Sequence, residues 1–198
     1  MPSNDPVIMG KILPMTSVQS ITVRALSMRQ TRGRLQIGGN VMPCALGRSG
    51  RRALKREGDG ATPAGTFELL RVLYRSDRMR RPRTGLPVAP IRPHDGWCDA
   101  TGDRNYNRPV RRPYPASTEQ MWRDDALYSL VVVLGHNTRP RVQGAGSAIF
   151  MHLARPGYAP TEGCIALERR HLLAVLARLR RGAVIKLAGP VGRCRASA

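Results

Sequence analysis

One stretch of this chain carries a helical period, and every other apolar segment is too short for a helix. Within residues 168–181, Leu172, Leu173, Leu176 and Leu179 sit at i, i+1, i+4 and i+7, with arginines on the opposite face. Gly182 stands where a helix terminator belongs. The remaining apolar runs span four to nine residues and are bounded by Gly, Pro and Asn, the punctuation of strands and turns. Many short strands, one helix in the C-terminal half and no strand–helix alternation predict a single mostly-β domain, a sandwich or barrel.

Strands are predicted over residues 21–26, 34–37, 41–46, 66–74, 127–134 and 183–187, with Gly38-Gly39-Asn40 folding the second onto the third as a hairpin. Residues 1–19 read as a loose tail, residues 20–189 as the folded domain, and residues 190–198 as a basic tail. Residues 75–125 stand apart. Prolines at 82, 87, 90, 93, 109, 113 and 115 break helix and ladder alike, while Trp97, Tyr106, Tyr114 and Trp122 argue for packing. This long Pro-rich loop is expected to serve as a lid or groove wall.

The formal charge is +20, and 30 of the 33 basic residues are arginine, the lysines being Lys11, Lys55 and Lys186. Such charge suits an anionic partner such as wall polymer, a membrane surface or nucleic acid. No nucleic-acid motif or basic helix accompanies it, which disfavours nucleic acid. A chain of 198 residues can bury a substantial core without staples. Its four cysteines form no CxxC pair and no metal-like spacing with the four histidines, so neither a metal nor an organic cofactor is implied. Cys44, Cys98 and Cys194 read as inert thiols, or as containing one disulfide in an oxidising compartment. No apolar run approaches the roughly 18 residues of a membrane span. Residues 1–16 lack the apolar stretch of a secretory signal.

Chemistry concentrates near residues 147–167. Ser147-Ala-Ile-Phe-Met-His152 predicts a buried strand delivering an imidazole at its exit, and Cys164 follows twelve residues later in Pro160-Thr-Glu-Gly-Cys-Ile-Ala-Leu. A thiol nucleophile needs a base within hydrogen-bond reach and backbone N–H groups aimed at the developing oxyanion. His152 can be that base, and the Gly163-Cys164 turn can supply the N–H groups. The same residues also fit a strand that happens to end in His beside a buried, inert Cys. The run 127–134 delivers His136 and Asn137 to a sheet end in the same manner, either as substrate contacts or as groups satisfied there.

Thr161-Glu162-Gly163-Cys164-Ile165, preceded by His152, resembles the catalytic segment of the L,D-transpeptidases, the YkuD-domain family. Upstream, Gly60-Ala-Thr-Pro-Ala-Gly-Thr-Phe67 is similar to that family's Thr-Pro-x-Gly-x-Phe segment, and the two fall in the family's order. Gly96-Trp-Cys-Asp99 and Tyr106-Asn107 resemble a smaller branch. The resemblance covers about residue 20 to residue 187. It implies a YkuD-like β domain acting on peptidoglycan stem peptides through a thioester, with no cofactor. Cys164 would be the nucleophile, His152 the general base and acid, Gly163 part of the oxyanion turn, and the Leu153 carbonyl the group orienting His152. His136, Asn137, Thr161 and Glu162 would contact substrate. Glu162 stands where many members carry His, and an adjacent carboxylate is expected to oppose the thiolate. Ala166 replaces the Arg or Asn that often follows the Cys. The acceptor (a second stem, a protein amine or water) is left open. The implied location is periplasm or cell wall, by a route that the sequence does not display. The alternative is a basic module binding wall polymer or nucleic acid, with a vestigial Cys/His pair.

Overall fold

The computed structural model describes residues 18–188. The expected tail 190–198 with Cys194, and residues 1–17 of the expected N-terminal tail, lie outside the described residues. The first strand already begins at Val18, within the stretch read as tail.

Alternation builds the first three strands. Ile21 and Val23 are buried from β1 (Val18–Arg24), Leu35 and Ile37 from β2 (Arg32–Ile37), and Met42 and Cys44 from β3 (Asn40–Ala45). The predicted hairpin forms, with Ile37 opposite Asn40. Its turn needs Gly38, whose φ of +55° would strain any residue with a β-carbon. The Arg-rich loop over residues 47–60 then folds back so that β4 (Arg51–Arg52) runs beside β5 (Thr62–Pro63), and β6 (Gly65–Tyr74) follows directly.

The Pro-rich segment carries more regular structure than its prolines predict. It contains β7 (Val88–Pro90), β8 (Asp95–Cys98), β9 (Pro109–Arg111) and β10 (Thr118–Gln120). The last three form a small sheet in the order β10-β8-β9, while β7 extends β6. The prolines are accommodated by position. Pro90 and Pro109 lie on edge strands, where a missing N–H breaks no ladder, and the central β8 has none.

Two further expectations are corrected. Residues 127–134 were expected as one strand, but Leu127–Ser129 form a 3₁₀ turn and β11 spans Leu130–Leu134. After β12 (Phe150–Leu153) and β13 (Ile165–Leu167), the predicted helix also proves shorter. Helix α1 spans Arg169–Leu176, and β14 spans Leu179–Leu187. Leu172 and Leu176 are buried as the stripe requires, but Leu179 belongs to the strand. Leu179 is in phase with Leu172 and Leu176 on a helix and equally with Ala183, Ile185 and Leu187 on a strand, and pairing decides, because Leu179 lies opposite Val18. Gly182 therefore terminates no helix. It sits at φ +77° where the register jumps from Val18–Leu179 to Ser20–Val184, a bulge in β14.

The main sheet has nine strands in the order β11-β12-β13-β3-β2-β1-β14-β6-β7, and β6 also pairs with β11, so the sheet closes into a barrel. Its thinnest seam is the lone pair Ala166–Ala45 between β13 and β3. Ile21, Leu35, Val132, Met151, Ile165 and Ile185 help to fill the interior. A second apolar cluster lies on the outer face of the same wall, where Trp97 and Met121 from the Pro-rich insertion meet Tyr128, Val133, Phe150 and Cys164. Covered on both faces, β11 is buried at every residue. The fold is mostly β, a barrel-like sandwich with one α-helix among the described residues.

Candidate active site

The β12–β13 wall decides which side chains meet. The two strands run parallel, with Met151 opposite Ile165, His152 opposite Ala166 and Leu153 opposite Leu167. Because side chains alternate, Met151, Leu153, Ile165 and Leu167 enter the barrel, whereas Phe150, His152 and Cys164 share the outer face. His152 and Cys164 line one pocket of about 150 Å³ together with Glu119, Arg123, Tyr128 and Arg155.

The turn before β13 is held by its own hydroxyls. Thr161 Oγ1 donates to the Cys164 carbonyl at 2.6 Å and accepts the Gly163 N–H at 3.2 Å. Thr62 Oγ1 donates to the same carbonyl at 3.4 Å and accepts the Gly47 N–H at 2.8 Å. The Thr-Pro segment and the Cys turn, about a hundred residues apart in the chain, are thus in direct contact. Gly163 adopts φ +129°, and a β-carbon there would lie 2.8 Å from the Ala61 carbonyl oxygen, so the position admits only glycine. With Gly163 N–H committed to Thr161, the Cys164 N–H is left without an acceptor among the described residues.

Cys164 is 7% exposed, and its thiol donates to the Ala148 carbonyl at 3.3 Å while accepting the Phe150 N–H at 3.3 Å. Burial pushes the thiol up to about 12; the Phe150 N–H and Lys55 pull it down, and Glu119 pushes it further up. His152, 6% exposed, hydrogen-bonds the Leu153 carbonyl through Nδ1 at 2.8 Å. A carbonyl only accepts, so the proton sits on Nδ1 and Nε2 keeps a lone pair. Burial pushes the imidazole down to about 4, against the Leu153 carbonyl and with help from Arg155 and Arg123. The resting pair is therefore a thiol and a neutral imidazole. Neither ring nitrogen hydrogen-bonds the thiol, so proton transfer requires the S–H to leave Ala148 and swing toward Nε2.

Ala148 is itself positioned. It holds φ +50°, uncommon for a residue with a side chain, and its N–H donates to Asn107 Oδ1 at 3.2 Å. Trp97 Nε1 donates to the same oxygen at 2.9 Å, and Asn107 Nδ2 donates to the His136 and Asn137 carbonyls at 3.1 and 2.8 Å. The Gly-Trp-Cys-Asp and Tyr-Asn segments thus meet behind the thiol.

A family model for the L,D-transpeptidase catalytic domain, YkuD, matches residues 23–187. The chain belongs to that family. L,D-transpeptidase domains of this kind act on peptidoglycan. Neither a curated protein nor a solved structure matches the chain.

Within this L,D-transpeptidase domain the expected site residues divide. Cys164 and His152 line one pocket, the Leu153 carbonyl accepts from His152, and Gly163 shapes the turn before the Cys with its N–H committed to Thr161. Thr161 and Glu162 also border the pocket, but Thr161 spends its hydroxyl on the turn. Glu162 has a 76% exposed side chain and pairs with Arg48 at 2.7 Å. It is not among the charges acting on the thiol; the carboxylate that raises Cys164 is Glu119. His136 and Asn137 do not line the pocket. His136 Nε2 meets the Ala145 carbonyl at 3.0 Å and its ring stands edge-on to Phe67, while Asn137 Nδ2 bonds the Val142 and Gly146 carbonyls. Both organise the loop after β11.

Glu119, Arg123 and Tyr128 escaped the sequence reading. The signal available was a pair of opposite charges four residues apart in a segment otherwise dominated by proline and aromatics. Among the described residues no cluster of three or more His, Cys, Asp or Glu could hold a metal, and no helix is long and apolar enough to cross a membrane. Cys44 and Cys98 are buried thiols that are not bonded to each other.

Proposed function

We propose that residues 20–189 form a cysteine acyl transferase acting on peptidoglycan stem peptides, with Cys164 as nucleophile and His152 as general base and acid. The observation that carries this reading is the shared pocket lined by a neutral imidazole with a free Nε2 and by a thiol outside any disulfide. His152 Nε2 takes the thiol proton, and Sγ attacks the carbonyl of the donor's diaminopimelate residue. The Cys164 N–H stabilises the oxyanion. The C–N bond to the terminal D-amino acid breaks, and the imidazolium returns its proton to the leaving amine, leaving a thioester. An acceptor amine, or water, then attacks the thioester, His152 takes its proton, and the sulfur departs to be reprotonated. A second stem gives a crosslink, a protein amine an attachment, and water a trimmed stem. This chemistry belongs in the periplasm or cell wall. The alternative of a binding module rests on net charge alone and assigns no purpose to the hydrogen-bonded thiol and its neighbouring base.

Incubating the purified protein with a tetrapeptide stem and measuring intact mass tests the reading. A mass increase matching the tripeptide acyl group is expected on the native protein and none on Cys164→Ala. An adduct of equal yield on Cys164→Ala would overturn the assignment.

A further inference from the structure

The proposed chemistry uses the thiol, the imidazole and one backbone N–H, yet the same pocket is bordered by charges that take no part in it. Glu119 reaches the pocket from β10, and Arg155 follows β12. Arg123 lies between them in sequence but is largely spoken for. Its Nε and Nη2 bind both carboxylate oxygens of Asp125 at 2.9 and 2.6 Å. Its Nη1 reaches only Oε1 of Glu119, at a longer 3.2 Å. Arg155 has no side-chain hydrogen bond or ion pair among the described residues. The pocket therefore presents a carboxylate held only by Arg123 and the neighbouring Tyr128 hydroxyl, and a guanidinium that feels Asp125 but has no hydrogen-bonded partner, both bordering the space in front of Cys164 and His152.

A half-buried carboxylate beside a thiol that must ionise is costly to the free protein. Glu119 opposes the Cys164 thiolate, and burial raises its own pKa against the pull of Arg123. A ligand ammonium placed on Glu119 would remove both penalties at once, because it neutralises the carboxylate and no longer leaves two like charges facing each other. Arg155 would in turn accept a carboxylate in the forked geometry that guanidinium favours.

We propose that Glu119 and Arg155 are specificity-determining residues that read a zwitterionic terminus on the acyl donor, an ammonium and a carboxylate borne on one carbon, with Glu119 taking the ammonium and Arg155 the carboxylate. This rests on the transpeptidase reading above. A diaminopimelate side chain ends in such a group, whereas a lysine side chain carries the ammonium without the carboxylate. Substrate choice is thereby moved from the second residue after the Cys, where Ala166 offers no polar group, to the insertion and the strand exit.

The test compares acylation rates for two tetrapeptide stems identical except that the side-chain amine is free in one and acetylated in the other. The native protein is expected to prefer the free amine by roughly 10- to 100-fold, the worth of a charge-assisted hydrogen bond. Glu119→Gln is expected to abolish that preference while acylating with the acetylated stem at least as fast as the native protein does. Because the acetylated stem is the internal reference, a folding defect would lower both rates and leave their ratio untouched. Arg155→Gln should weaken binding of a diaminopimelate stem relative to a lysine stem. Equal native rates for the two stems, or an undiminished preference in Glu119→Gln, would overturn the inference while leaving the transpeptidase reading standing. Acylation by neither stem would overturn that reading itself, and the inference with it.

Discussion

The wall formed by β11, β12 and β13 separates two apolar regions with opposite characters. Inside, Val132, Met151 and Ile165 face a closed core to which most strands of the barrel contribute. Outside, Val133, Phe150 and Cys164 face a thinner layer completed by Trp97 and Met121 from the insertion. The inner face of these three strands carries apolar side chains, which are exchangeable for others of similar volume. The outer region places an imidazole, a thiol and a carboxylate at the edge of apolar surface, where burial moves every protonation equilibrium. One strand serves both, and a single step along β12 passes from packing to chemistry.

Neighbours on that strand give the sharpest test. His152→Ala should lower turnover by roughly 10²- to 10⁴-fold, the usual cost of losing a general acid–base. Met151→Ala, one residue away and facing inward, should instead cost about 2–5 kcal/mol of stability and leave the turnover of the folded protein nearly unchanged. Rate measurements at a temperature where both variants are folded separate the two. A matching loss of turnover in Met151→Ala would show that the faces are not independent.

The next effect is on stability against pH. Burial holds the folded His152 near pKa 4, below the ordinary 6.5. As pH falls, the unfolded chain takes up this proton first, so stability is intact above about pH 6.5 and declines from there toward pH 4, by about 3 kcal/mol in all. His152→Gln carries no such proton and should flatten that part of the profile. Urea unfolding at pH 7 and pH 4.5 reads the difference, and parallel losses in both proteins would assign the slope to another group.

The smallest effect distinguishes the two carboxylates. Glu119→Gln should lower the thiol pKa of Cys164, and Glu162→Gln should leave it where it is, since that side chain is solvated and paired with Arg48. Alkylation rate as a function of pH checks both, and the reverse ranking would return the tuning role to Glu162.

What could be read in advance follows the same division. The β2–β3 hairpin was legible because its turn residues and alternation are local. His152 and Cys164 were legible because one strand–loop–strand unit holds both. Residues 168–181 misled because Leu179 fits both the helical stripe before it and the strand alternation after it, and only pairing with β1 chose between them. Glu162 misled because adjacency along a turn is not adjacency in space. Glu119, Arg123 and Asn107 reach the site through the insertion, whose pairing depends on contacts far apart in the chain. His136 and Asn137 leave a sheet end near the site and yet turn their side chains into loop construction.

The burial of Cys164 bears on how long the protein lasts. The thiolate is the form that attacks peroxides and disulfides, and a thiol held near pKa 12 offers only about one part in 10⁵ of that form at neutral pH. The sulfur is therefore stored in its least oxidisable state and gains reactivity only while a bound substrate changes the charge around it. That protection comes from burial, the same apolar surroundings that complete the outer face of the wall.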